Sequence, residues 1–207
     1  MRAMLLPCLA VFSLALSGCK GVYTDQPLAT SGDAVEEPAL EGVWTNGDSD
    51  DAQLYVQKPD GYAYSLIVSE PSSKITQVFQ TNLVRLNHEL FADMVFQKQV
   101  VDRTEAELPL GTIPNRVIVK LDITDDDLAY SALDCNTIQN LNKEGDPPLQ
   151  FLDEGDVVLL TTSTDDLRQY LSVYADHVFS SPEHYTRKVD QEAGGSSTTA
   201  CSVPTPP

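Results

Sequence analysis

The sequence predicts a mainly β protein: a small antiparallel meander closing into a barrel, with one C-terminal amphipathic α-helix. Three observations carry that expectation. Short runs with period-two alternation of apolar and polar residues recur from residue 40 to residue 161. Tight-turn sequences such as Lys58-Pro59-Asp60-Gly61 separate them. A single helical stripe, Leu167, Tyr170, Leu171, Tyr174 and Val178, follows the runs. Strands with one wet and one dry face mark an antiparallel sheet, and closing the sheet removes its exposed edges.

The first strand spans 40–46 and ends at Asn46-Gly47-Asp48. Residues 53–57 alternate, with Leu54 and Val56 on one side and Gln53, Tyr55 and Gln57 on the other. Pro59 presets φ for the next turn and Gly61 tolerates a positive φ, so 62–68 returns as the second arm of a hairpin. A second pair, 75–86 and 89–97, folds around Asn87-His88. The clearest strand is 116–123, where Val117, Val119, Leu121 and Ile123 share a face. Arg116, Lys120 and Asp122 take the other face, and Ile118 breaks the pattern. Asp125-Asp126-Asp127 turns it into 128–133. Residues 136–143 form a short helix before Gly145 and Pro147-Pro148, and 151–161 form a hairpin around Asp153-Glu154-Gly155-Asp156. The stronger helix covers 165–177: Ser163 or Thr164 caps it, Asp165 and Asp166 suit the positive end of its dipole, and Pro182 stops it.

Leu40-Glu41-Gly42-Val43-Trp44, at the start of the first strand, resembles the Gly-x-Trp opening of lipocalins. The resemblance implies an up-and-down barrel, with Gly42 and Trp44 as its structural pair. Arg187 matches the late arginine that stacks on that tryptophan in the family, although here it lies past the helix. The family's Thr-Asp-Tyr type loop motif is missing.

Four cysteines and an extreme charge bound the setting. Arg2, the apolar run 3–16 and then Leu16-Ser17-Gly18-Cys19 resemble the signal peptide and lipobox of bacterial outer-membrane lipoproteins. The run falls short of the ~20 residues of a spanning helix. The resemblance implies cleavage between Gly18 and Cys19, diacylglycerol on the Cys19 sulfur and acylation of the new amino terminus. Lys20 in the following position favours the outer membrane, with the protein facing the periplasm. The expected organisation is a signal peptide over 1–18, a lipidated flexible tether over 19–39, one β-rich domain over 40–188 and a disordered tail over 189–207. Cys8 leaves with the signal, so Cys135 and Cys201 remain as a candidate disulfide in an oxidising compartment. The bridge would close a loop of roughly 65 residues and add about 4 kcal/mol at most.

The net charge of −18 repels phosphate backbones and excludes nucleic acid as a partner. No catalytic or metal motif stands out, and no motif points to a cofactor. His88-Glu89 starts like a zinc-protease helix, but Ala92 stands where the second histidine belongs. His177 and His184 flank a proline at no standard ligand spacing. The clusters at Asp48, Asp50 and Asp51, at 125–127 and at 153–156 miss the EF-hand pattern and read as turn chemistry. Tyr55, Tyr62, Tyr64, Phe79, Phe91, Phe96 and Tyr130 fall in the strands. In a barrel open at one end the inward ones line a pocket; in a filled barrel they are core, and packing is the preferred reading. These readings lead to a non-enzymatic, membrane-anchored envelope protein that binds a protein partner or a small hydrophobic ligand. An envelope hydrolase assembled only in three dimensions, and a structural or assembly subunit of an envelope complex, stand as alternatives.

Overall fold

A computed structural model of the chain describes residues 21–30, 32–46, 52–59, 61–102, 104–106, 116–144, 149–153 and 157–188. Gly18, Cys19, Cys201, the 48–51 cluster, residues 154–156 and the tail from 189 lie outside the described residues. The protein is mainly β, with 54% of the described residues in strands, an antiparallel eight-stranded closed barrel of lipocalin-like form and two helices.

In chain order the elements are β1 (Gly21–Thr24), β2 (Ala34–Val35), a 3-10 turn (Pro38–Leu40), β3 (Gly42–Thr45), β4 (Gln53–Gln57), β5 (Tyr64–Glu70), β6 (Ile75–Leu86), β7 (Glu89–Val101), β8 (Thr104–Ala106), β9 (Arg116–Ile123) and β10 (Asp127–Ala132). Then follow α1 (Cys135–Glu144), β11 (Phe151–Asp153), β12 (Val157–Leu160), α2 (Thr164–Val178) and β13 (Glu183–Arg187). The barrel runs β6-β5-β4-β3-β13-β10-β9-β7 and closes through β6 against β7. The hairpin turns use the residues that the sequence offers: Gly61 has φ +74° between β4 and β5, and Asn87 has φ 54° between β6 and β7.

Inward positions alternate along every barrel strand and build the first core. Trp44, Leu54, Val56, Tyr64, Leu66, Val68, Phe79, Leu83, Met94, Val119, Leu121, Leu128, Tyr130 and Tyr185 are all buried there. A second core lies outside the barrel wall. Val84, Phe91 and Ile118 point outward from β6, β7 and β9 and meet Leu167, Tyr170, Leu171, Ala175 and Val178 of α2. Ile138 of α1 and Val22, Val158 and Leu160 of a small sheet complete it. That sheet has the order β1-β12-β11, with β1 parallel to β12. Ile118, the exception in the alternation of β9, is explained: at that position the outer face of the strand is covered by the second core.

One expectation needs correction. The flexible tether expected over 19–39 is not what the structure holds there: β1 starts at Gly21, Leu28 is wholly buried and β2 pairs with β6. Few residues in the stretch are apolar, but Val22 and Leu28 go into the second core. The backbone partner of β1 lies more than a hundred residues away, where no local pattern reveals it. The expected domain over 40–188 runs on past α2. β13 follows it and supplies the eighth barrel strand, pairing with both β10 and β3. Its inward positions, Glu183, Tyr185 and Arg187, carry no hydrophobic alternation, which is why it does not read as a strand. Its place also accounts for Arg187 lying beyond the helix. Ser163 caps α2 as expected, its hydroxyl accepting from the Asp166 N–H at 3.3 Å.

Candidate functional site

One end of the barrel is plugged. The Arg187 guanidinium lies 4.1 Å from the centroid of the Trp44 ring, a cation–π contact. Its Nε donates to the Asp125 carbonyl at 2.6 Å, Nη1 to the Glu41 carbonyl at 2.6 Å and Nη2 to the Ala39 carbonyl at 2.5 Å. Trp44 Nε1 donates to the Leu40 carbonyl at 2.9 Å. One side chain thereby ties the 3-10 turn, the start of β3 and the β9–β10 turn together. Gly42 has φ +139°, and a Cβ there would stand 2.7 Å from Arg187 Nη1. The Gly-x-Trp pair and the late arginine thus meet in one arrangement.

A cleft of about 420 Å³ lies on the rim of the same end, lined among others by Glu37, Arg85, His88, Glu89, Lys120 and Asp122. Its cations are engaged. Arg85 pairs with Glu37 at 3.2 Å, and Lys120 holds Glu89 at 2.9 Å and Asp176 at 3.3 Å. Half-exposed ion pairs of this kind fasten the rim and occupy its arginine and lysine.

The opposite end has different chemistry. The Tyr130 hydroxyl donates to Glu183 Oε2 at 2.8 Å, and its ring packs 5.6 Å from that of Tyr185. Tyr185 shares hydrogen bonds with Tyr130 and Asn46 and feels the Glu70 carboxylate nearby. Burial first, then Tyr185 and Glu183, raise the Tyr130 phenol far above its ordinary value. Burial likewise raises that of Tyr185. Both phenols therefore stay protonated and able to donate throughout the physiological range. Below them the interior is apolar and aromatic. Phe79 and Phe96 meet edge to face at 5.5 Å, and Gln77 Nε2 reaches Gln99 Oε1 at 3.4 Å.

Thr81 sits between Phe79 and Leu83 on the inward face of β6. It is 0% exposed, and its hydroxyl has no hydrogen-bond partner among the described residues. A buried hydroxyl without a partner costs roughly 1–3 kcal/mol unless a water or a guest satisfies it.

The aromatics expected in the strands divide. Tyr64, Phe79, Phe96 and Tyr130 belong to the barrel interior. Phe91 points outward and packs 5.8 Å from Phe179 in the second core. Tyr55 lies on the outer surface, and Tyr62 is exposed in a turn. The sequence did not single out Glu183, Tyr185, Asn46 or Thr81, because polar residues inside a barrel look like surface residues along a chain.

The remaining candidates are scattered. His184 Nδ1 lies 3.1 Å from Asp127 Oδ2. Asp127 also takes part in the β9–β10 turn, where its N–H donates to Thr124 Oγ1 at 3.0 Å. Among the described residues no three His, Cys, Asp or Glu side chains gather as metal ligands, and no helix is long and apolar enough to cross a membrane. Cys135 opens α1 and is buried in the second core; its suggested partner Cys201 lies outside the described residues. Comparison of the chain with protein-family models, with curated proteins and with solved structures found no match.

Proposed function

We propose that this chain is a lipid-anchored bacterial envelope protein, held at the outer membrane through Cys19, whose barrel takes a small amphipathic ligand. The ligand enters by the end that carries Tyr130, Tyr185 and Glu183, and its apolar part lies against Phe79, Phe96 and Met94. The orphan hydroxyl of Thr81 carries this reading: a purely structural core would place valine there at lower cost. A floor of apolar and aromatic side chains with a few convergent polar groups is the usual composition of a small-molecule site. The carboxylates of Glu183 and Glu70 at the mouth disfavour an anionic head group, so the guest carries a neutral or cationic one.

The test uses the Cys19→Ser chain, free of acyl groups, titrated with a fluorescent long-chain alcohol, the matching amine and the matching fatty acid. Saturation at one alcohol or amine per barrel is expected, with the fatty acid weaker by about tenfold or more. Thr81→Val and Glu183→Gln should each weaken the preferred probe. Absence of saturable binding by all three probes overturns the ligand reading. Acylation is read separately, from the mass of the exported chain and of its Cys19→Ser variant.

A further inference from the structure

The small outer sheet buries one face and turns the other outward. Val22, Val158 and Leu160 turn into the second core, and Phe151 packs against it. The residues between them turn outward. Register places Tyr23 beside Leu159, Leu159 beside Leu152, and Gly21 beside Val157. Three strands therefore present Tyr23, Val157, Leu159 and Leu152 on one outer surface, and Leu152 is 52% exposed. A Cβ on Gly21 would meet the Tyr23 ring at 2.8 Å, so that ring lies along the strand toward its first residue.

The position of this face in the chain points to its occupant. Only Lys20 separates Cys19 from Gly21, where β1 begins. Two residue steps span at most about 7 Å. Acyl chains on Cys19 therefore enter the bilayer within that distance of the sheet's edge. A tyrosine among aliphatic side chains is also what the membrane–water boundary favours.

We infer that the Tyr23–Leu159–Leu152 face of the β1-β12-β11 sheet lies on the bilayer that receives the Cys19 lipid, so that the domain rests flush on the membrane. The inference rests on the lipoprotein reading for its occupant. The contact is apolar, because a chain of net charge −18 gains nothing from anionic head groups. The β4–β5 turn with Tyr62 marks the far side, since β4 stands opposite β9 in the barrel order and β9 is the strand on the sheet's side.

The experiment couples the mature chain, made from Cys19 onward without the export signal and carrying Cys201→Ser, through the Cys19 thiol to a maleimide lipid in phosphatidylcholine vesicles. Attachment then does not depend on acylation in the cell, and buried Cys135 is left unreacted. Leu152→Trp and Tyr62→Trp place a probe on two exposed sites, with buried Trp44 as the common background. Brominated lipid is expected to quench the Leu152→Trp signal at least about twofold more than the Tyr62→Trp signal, unchanged by 0.5 M salt. Equal quenching at the two sites, whether strong or absent, overturns the inference. So does protection of the Leu152→Trp probe by self-association, read as a concentration-dependent size in the uncoupled chain. An unmodified Cys19 in exported protein would sink the lipoprotein reading alone and leave the quenching result standing.

Discussion

Asp93 and Arg116 form an ion pair at 2.5 Å between neighbouring strands β7 and β9, with the carboxylate wholly buried. The second oxygen of Asp93 accepts from the backbone N–H groups of Leu28 at 2.9 Å and Ala29 at 3.1 Å. One carboxylate therefore fastens the segment after β1 to the barrel wall and leaves none of its partners unpaired. Asp93→Ala strands a guanidinium and two amides together. Its expected cost is about 3–5 kcal/mol in urea unfolding. Asp93→Asn keeps an acceptor and should cost less. Hydrogen exchange at Leu28 and Ala29 should accelerate in both variants ahead of the barrel strands.

The plug depends on shape as well as charge. Arg187 uses three nitrogens on three carbonyls and its flat face on Trp44, and a lysine ammonium reproduces neither the fork nor the stacking. Arg187→Lys should therefore lower stability by about 1–3 kcal/mol despite keeping the charge. Gly42→Ala attacks the same arrangement from the backbone, through a φ of +139° and a Cβ 2.7 Å from Nη1. It should cost at least about 1 kcal/mol, and the double variant should cost less than the sum because both substitutions loosen one contact.

Stability should fall on the alkaline side through the mouth tyrosines. Tyr130 and Tyr185 have raised values in the folded chain, whereas in the unfolded chain they ionise near pH 10. Below that point both states hold the protons and stability is unaffected. As the pH rises beyond it, the unfolded chain releases protons that the folded chain keeps, so stability declines. The urea midpoint should drop between pH 9 and pH 11, and Tyr130→Phe should flatten that drop.

Particular residues show why part of this was legible and part was not. Strand β9 reads correctly at both ends because Val117, Val119, Leu121 and Ile123 all turn into one core. The Trp44–Arg187 contact is legible only through a resemblance between short motifs, since nothing in their separation implies that they touch. Along β7, Leu90, Phe91, Ala92, Asp93 and Met94 are all buried. The strand has a core on each side, which erases the alternation and hides that Phe91 and Phe96 face opposite ways. Asp93 reads as a surface residue because its partners lie 23 and about 65 positions away. The candidate mouth is polar inside, the reverse of what hydropathy patterning detects.

Two buried tyrosine hydroxyls give opposite expectations. Tyr64 OH accepts the Glu37 backbone N–H at 2.8 Å, so Tyr64→Phe leaves that amide unpaired and should cost about 1 kcal/mol or more. Tyr170 OH lies in the second core without a hydrogen-bond partner among the described residues, and burial pushes its value up to about 12. Its ring packs 5.0 Å from Tyr174, a contact that phenylalanine keeps. Tyr170→Phe removes only the unpartnered hydroxyl and should be neutral or stabilising by about 1 kcal/mol in urea unfolding at pH 7. A destabilisation as large as that of Tyr64→Phe would mean that the Tyr170 hydroxyl is held by a buried water.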